Sequence, residues 1–466
     1  MNLKYKGHNY IYAVEQMCAN LFPLDKDIEM ETSLSTGKIY ATASCRFKGE
    51  IGIARCRLEE LDDSRAQSLL KTAIYRAALK SGMARPPWGS LSGVRPGKLM
   101  KGIMNPQRFS EIYDVSPERS QLCYETSLFT IEAEKNLGDK DICLYVGIPF
   151  CPTRCAYCSF VSQSTEKSWK LMDPFFDALL DELKAVASET RELGLKIVSI
   201  YFGGGTPTTL SAEKLELLCT EIEKDFDLSG LREFCVEAGR PDTITEEKLT
   251  VLKTHGVDRL SVNPQTMKDA VLLAIGRKHT AQDIRDALEL VRKVGGFSVN
   301  MDLIAGLPSD TVEGFKESMD EVVRLNPENI TVHTLSLKRG SSLLLNGGAI
   351  PSEMEVSQML DHAYASLRGN GYRPYYLYRQ KNMQGGFENT GWTKPNCENL
   401  YNICMMEELC SILAAGGGGS TKLIRRDGGK NIRLTAPKYP QEYIENSPKT
   451  CAEKAKIGQF YKNQIK

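Results

Sequence analysis

The sequence predicts an α/β fold: a partial (β/α)6 barrel flanked by an N-terminal α+β module and a C-terminal α+β region. Two observations predict it. From Ile142 onward, short apolar, β-branched runs alternate six times with helical patterns, and such alternation implies parallel strands covered by helices. Polar and glycine residues then fall just after those strands, where parallel α/β folds gather their active sites. At 466 residues the chain exceeds one ordinary domain. The texture changes divide it into 1–137, 138–340 and 341–466.

In the first segment a short strand near Tyr5–Tyr12 precedes a helix. Period-2 patterning follows over Ile39–Phe47 and Ile51–Arg57. Next come a helix over Ala66–Lys80 and a Pro- and Gly-rich loop, PPWGSLSGVRPGKL (86–99). A charged helix over Pro117–Leu137 opens at Ser116 and stops at Gly138. In the second segment the predicted strands are Leu144–Pro149, Ile197–Phe202, Glu233–Glu237, Arg259–Asn263, Ser298–Ile304 and Asn329–Thr334. Helices lie between them at Trp169–Leu193, Ala212–Asp225, Glu246–His255, Ala281–Val294 and Val312–Leu325. Right-handed crossovers curl such a series into a barrel or an open twisted sheet. The third segment holds a helix over Glu353–Asn370, an aromatic strand GYRPYYLYRQ (371–380) and a glycine run, Gly416–Gly419.

Lys and Arg balance Asp and Glu at 59 each, so overall charge makes no case for nucleic acid or an acidic membrane surface. The first residues lack the apolar core and cleavage site of a secretory signal, and no apolar run is long enough to span a bilayer. The expected location is the cytoplasm, where thiols stay reduced. Of the 14 cysteines, Cys18, Cys45, Cys56, Cys123, Cys219, Cys235 and Cys451 stand singly and read as small buried hydrophobes.

One group departs from that background. Cys151, Cys155 and Cys158 have C-x3-C-x2-C spacing on a loop at the end of the first barrel strand, with Tyr157 just before the last cysteine. Three thiols so spaced supply three ligands to an iron–sulfur cluster and leave its fourth iron open, whereas a cluster with a full ligand set uses four cysteines. Structural zinc is the alternative reading. It needs a fourth ligand, which Ser159, Phe160 and Val161 do not provide.

The loop resembles the signature of the radical S-adenosylmethionine (SAM) superfamily. YFGGGTPTTL (201–210), VEAGRPDTIT (236–245), RLSVNPQTM (259–267), IGRKHT (275–280), NMDLIAGLP (300–308) and ENTGWTKPNCENLYNICMMEE (388–408) resemble one branch of it. That branch is the oxygen-independent coproporphyrinogen III oxidases (dehydrogenases), in their long, HemZ-type form, and the likeness covers about residues 142–425. LSGVRPGKLM (91–100) fits the same long form. The resemblance implies a [4Fe–4S] cluster on Cys151, Cys155 and Cys158. It implies SAM held by Gly203, Gly204, Gly205, Thr206, Glu237, Gln265, Arg277 and Asp302. Glycines permit close backbone approach, a guanidinium grips a carboxylate, and the carboxylates accept from ribose hydroxyls or an ammonium. Tyr145 is the implied catalytic contact to substrate or cluster.

The implied reaction converts two propionates of coproporphyrinogen III into vinyl groups without oxygen, giving protoporphyrinogen IX. Its implied partners are a tetrapyrrole substrate and an electron donor such as a flavodoxin or ferredoxin, with no nucleic acid and no membrane span. A site for the propionates would draw on Arg339, Arg373, Arg379 and Lys381, interleaved with Tyr375, Tyr376 and Tyr378. The pattern departs from the best-known coproporphyrinogen oxidases at two points. Gly147 stands where they carry histidine, and Phe160 where they carry a further cysteine. CAYCSF also resembles the related heme chaperones. Heme binding without turnover, tetrapyrrole methylation and heme degradation are therefore the competing functions.

Overall fold

A computed structural model of the chain describes residues 1–22, 27–35, 40–57, 63–93, 95–158, 163–336, 350–380, 384–425 and 429–463. The chain parts into two compact units, 1–127 with 377–389 and 128–376 with 390–466. The expected third segment thus contributes to both.

In the first unit, β1 (Asn2–Lys6), β2 (Glu29–Ser35), β3 (Tyr40–Phe47) and β4 (Glu50–Arg57) form a sheet in that order. β1 and β2 run parallel and the later pairs antiparallel. Burial alternates residue by residue along β2, β3 and β4, so one face is apolar. The helices Ile11–Leu21 and Asp63–Lys80 cover that face with Val14, Met17, Leu70 and Ile74. Gly52 lets the second helix lie directly on β4, because a Cβ there would stand 2.0 Å from the Ala77 carbonyl oxygen.

Residues 377–389 belong to this unit through buried polar contacts. The Trp88 indole N–H donates to Glu388 Oε2 at 2.6 Å. The Arg119 guanidinium pairs with Glu388 Oε1 at 3.0 Å, both side chains being buried. Arg379 donates to the Leu91 carbonyl at 2.6 Å and to that of Gly386 at 2.9 Å. The loop at 86–93 is therefore structured around a fully buried Trp88.

The second unit is built on β5 (Asp141–Ile148), after which β6 (Phe150–Cys151) and β7 (Gln163–Ser164) make a separate two-stranded pair. β8 (Lys196–Gly204), β9 (Glu233–Glu237), β10 (Arg259–Ser261), β11 (Ser298–Ala305) and β12 (Asn329–Thr334) follow. β5 and β8 to β12 are parallel and adjacent in chain order. Near-continuous burial along β5 and β12 fits strands covered on both faces. Ser211, Thr245, Thr280 and Thr311 cap the intervening helices, each side chain accepting an N–H of the first turn.

Among the described residues the sheet is open and has eleven strands. β13 (Arg373–Tyr378) and β14 (Asn389–Thr393) extend it beyond β12. On the other side β15 (Ser411–Gly416) runs parallel to β5, with β16 (Ser420–Leu423) and β17 (Ile432–Thr435) outside it. The third segment thus supplies a seventh parallel strand that the sequence reading left unassigned. No helix among the described residues is long and apolar enough to cross a membrane.

Removing one partner of a buried ion pair costs about 3–5 kcal/mol, because the other charge stays buried. Arg119→Ala is expected to lower the unfolding free energy of the first unit by that order, read as a lower urea midpoint by tryptophan fluorescence.

Candidate functional site

The cysteine loop leaves the end of β5 and is held from two sides. The Gly205 N–H donates to the Ile148 carbonyl at 2.7 Å, and the Thr206 N–H to that of Phe150 at 2.7 Å. From the other direction the Ala156 N–H donates to the Ile275 carbonyl at 2.9 Å, and the Thr153 hydroxyl to that of Gly276 at 3.2 Å. Within the loop the Cys158 N–H donates to the Cys155 carbonyl at 3.1 Å. The three thiols are half-buried. They are not among the described groups whose ligand atoms all lie within 4.8 Å of one another, so they are spaced more widely than the donors of one zinc ion.

Thr206 and Arg240 are among the side chains that reach the ligand sulfurs. The Thr206 hydroxyl donates to Cys151 Sγ at 3.4 Å. The Arg240 guanidinium donates to Thr153 Oγ1 at 3.0 Å and reaches Cys155 Sγ at 4.0 Å. Asp242 grips the same guanidinium with both oxygens at 3.3 Å. Arg240 is buried and was missed in the sequence, although it follows the third barrel strand just as Thr206 follows the second.

The three glycines have separate reasons. A Cβ on Gly205 would stand 2.4 Å from the Phe150 oxygen and 2.9 Å from that of Ile148. Gly204 takes φ +106°, which side chains rarely adopt. A Cβ on Gly203 would meet the Tyr201 ring at 2.8 Å and the Glu237 carboxyl at 3.2 Å.

Glu237 accepts from the Tyr201 hydroxyl at 2.6 Å. Burial pushes its carboxyl up to about 7, and the negative charge of Asp302 adds to that rise. Asp302 goes the other way. Burial pushes it up, but His333, at 3.6 Å, and hydrogen bonds from Asn300 and Thr331 outweigh that and hold it below its ordinary value. Gln265 sits at φ +68°, and its backbone bridges to β11 through Asp302 and Ile304. Its side-chain oxygen is buried with no hydrogen-bond partner among the described residues.

Arg277 donates to the Asn263 carbonyl at 2.5 Å and to the Tyr157 hydroxyl at 3.2 Å, which leaves its buried Nε unpartnered. His279 was also missed. It is buried, and burial followed by the charges of Arg277 and Arg240 pushes its imidazole down to about 3, so the ring is neutral.

Tyr145 is half-buried in a stack of three tyrosines. Its ring lies 6.3 Å from Tyr201 and 6.2 Å from Tyr401, and those two lie 4.4 Å apart. A Cβ on Gly204 would come 3.4 Å from the Tyr145 hydroxyl. Gly147 has no room for a side chain. A Cβ there would stand 2.9 Å from the Gly417 oxygen, and one on Gly416 would stand 2.2 Å from the Gly147 oxygen. Buried Glu182 holds that turn by accepting from the Gly416 N–H at 2.7 Å and from the Tyr443 hydroxyl, and by its ion pair with Lys454 at 2.7 Å.

The structure thus brings Thr206, Gly205 and Arg277 against the cysteine loop, and links Glu237, Asp302 and Gln265 behind it. Among the described residues it does not bring the expected propionate binders together. Arg379 is spent on carbonyls of the first unit, and Tyr375 and Tyr376 are buried core. Arg373 is exposed. Arg339, Lys381 and Phe160 lie outside the described residues.

Residues 145–322 match the Radical SAM superfamily. Over 382 residues the chain is 41% identical to the oxygen-independent coproporphyrinogen-III oxidase-like protein HemZ of Bacillus subtilis, covering 79% of this chain and 76% of that one. It is 34% identical to the heme chaperone HemW of Lactococcus lactis over 283 residues, 59% of this chain and 68% of that one. In structure it is similar to the coproporphyrinogen III oxidase HemN of Escherichia coli, a radical SAM enzyme. That match has a TM-score of 0.54 at 22% identity, over 70% of this chain and 73% of that one.

Gly205→Ala forces a methyl into the loop backbone, and overpacking of this kind costs about 1–3 kcal/mol. The expected result is lower iron and sulfide content after reconstitution. Gly102→Ala, whose methyl meets nothing within 4 Å, leaves both unchanged.

Glu237 carries a pH signature. Its carboxyl titrates near 7 when folded and near 4.5 otherwise, so folding disfavours its ionised form. Stability of the cofactor-free chain is expected to fall as pH rises from about 4.5 through 7, by on the order of 3 kcal/mol. Glu237→Gln removes that loss, as urea midpoints at pH 5 and pH 8 will read.

Proposed function

Since the chain belongs to the radical SAM oxygen-independent coproporphyrinogen III oxidase family, in its HemZ-type form, we propose that it decarboxylates two propionates of coproporphyrinogen III to vinyl groups. The product is protoporphyrinogen IX. The observation that carries this reading is the gathering of Thr206, Arg240 and Arg277 against one cysteine loop, with Glu237, Gln265 and Asp302 linked behind it.

The family uses a [4Fe–4S] cluster and SAM, and the residues present fit both. Together these groups supply radical chemistry at an unactivated C–H bond. Cys151, Cys155 and Cys158 would be the cluster ligands. Thr206 and Arg240 donate toward two of their sulfurs, and hydrogen bonds to ligand sulfurs tune a cluster's potential. Gln265 offers a buried acceptor that no other described residue satisfies, and the Arg277 Nε a buried donor of the same kind. Asp302, held ionised, suits ribose hydroxyls or an ammonium. Glu237 takes up or releases a proton near neutrality and is the more adjustable of the two carboxyls. Tyr145 reaches toward Gly204, where it could contact substrate or cluster. A small electron-transfer protein such as a flavodoxin or ferredoxin would supply electrons, and the expected setting is the cytoplasm.

Gly147 favours a second reading, heme binding without turnover. The turn at Gly416–Gly417 fills the space where best-known oxidases place a histidine. Anaerobic reconstitution with iron, sulfide, SAM, a reductant and coproporphyrinogen III distinguishes the two. The expected result is 5′-deoxyadenosine together with a decarboxylated porphyrinogen, both abolished by Cys155→Ala. Stoichiometric heme binding with neither product would overturn the oxidase reading.

A further inference from the structure

Three cysteines outside the loop lie together. Cys143 is on β5, Cys404 on the helix Leu400–Glu407, and Cys410 just before β15. Their sulfurs all lie within 4.8 Å of one another, and Cys143 and Cys410 are 3.7 Å apart. Three sulfurs around one ion, each bonded at about 2.3 Å, stand about 4 Å from each other. The observed spacing is that of ligands to a single ion. All three side chains are buried, at 0%, 0% and 3% exposure.

Coincidental packing of small hydrophobes is the competing account, and the other buried cysteines show what it looks like. Burial pushes the Cys18 and Cys219 thiols up to about 12, which leaves them protonated. Cys143, Cys404 and Cys410 differ in facing one another inside one apolar shell. Val198, Tyr401 and Ile412 enclose the sulfurs, with Leu400, Met405 and Leu409 packed outside. No histidine or carboxylate among the described residues joins the three, so a closed four-ligand zinc site is not formed.

We propose that Cys143, Cys404 and Cys410 form a second metal site, which holds one soft d10 ion, Zn²⁺ or Cu⁺, through three sulfurs. Soft thiolate donors select such ions, and binding releases thiol protons. Two thiolates and a thiol leave Zn²⁺ neutral, and one thiolate and two thiols do the same for Cu⁺, which is the charge an apolar shell tolerates. The ion would tie together two strands and a helix far apart in sequence. Cys143 lies two residues before Tyr145 on one strand face, and Cys404 shares its helix with Tyr401. Occupancy would therefore fix the tyrosine stack from below. The inference rests on thiol geometry alone and stands whatever reaction the loop performs.

Full-length protein with its cluster reconstituted anaerobically would be titrated with Zn²⁺ and with Cu⁺ in separate arms. Bound metal would be counted by mass spectrometry. Co²⁺ would be added in a third arm to read sulfur-to-metal charge transfer. One equivalent beyond the cluster iron is expected in the Zn²⁺ or the Cu⁺ arm, with a thiolate band for Co²⁺. Cys404→Val, an apolar replacement of similar size, is expected to lose both, and Cys155→Ala to keep them. Absence of the extra equivalent and band in the unaltered chain overturns the proposal even if the variant fails to fold. So does an equivalent that survives Cys404→Val.

Discussion

Beyond the last paired residues of β5 and β8, two backbone hydrogen bonds continue the join, from Gly205 N–H to Ile148 and from Thr206 N–H to Phe150. They form because nothing but hydrogen projects from the Gly205 α-carbon toward the strand beside it. The position of the cysteine loop depends on this contact. Once Ile148 and Phe150 are fixed, Cys151 meets the Thr206 hydroxyl. Ala156 and Thr153 then reach the backbone at Ile275 and Gly276, and Arg277 reaches Tyr157. A loop made almost wholly of irregular backbone is thereby given donors and acceptors on both sides, as buried peptide groups require.

Behind the loop, charge is arranged by contrast. Glu237 closes β9 and Asp302 lies within β11 of the same sheet, yet their environments push the two carboxyl groups in opposite directions. Glu237 has a tyrosine hydroxyl and a neighbouring negative charge, whereas Asp302 has an imidazole and two further donors. Groups whose proton affinities are separated in this way suit separate tasks. Arg240 and Arg277 are similarly specialised. Each spends part of its fork on fixed oxygens, which orients what remains.

The six parallel strands and their helices were legible because strands buried on both faces read as continuous apolar runs and helices announce themselves by caps. The cysteine loop was legible because its chemistry is local in sequence. What escaped was assembled from distant pieces. β15 looks like any short apolar run, and only its pairing with β5 makes it part of the central sheet. Cys143, Cys404 and Cys410 share no spacing that a reader of the sequence could recognise. The aromatic strand with its arginines read as a substrate surface. The burial of Tyr375 and Tyr376, and the pairing of Arg379 with the Leu91 and Gly386 carbonyls, leave no mark in side-chain pattern. Arg240 was within reach, since it follows a strand as the other site residues do.

β15 also bears on how the molecule is made. The strand that leads into the cysteine loop has β8 on one side and β15 on the other, and β15 comes from near the end of the chain. During synthesis β5 and its loop emerge long before the residues that complete their bed. Until Gly416 and Gly417 arrive, one edge of β5 has unpaired peptide groups, and such edges recruit wrong partners. The pairing of β5 on both edges thereby waits for β15. A nascent fragment that already holds all three loop cysteines still lacks the strand that pairs with the second edge of β5.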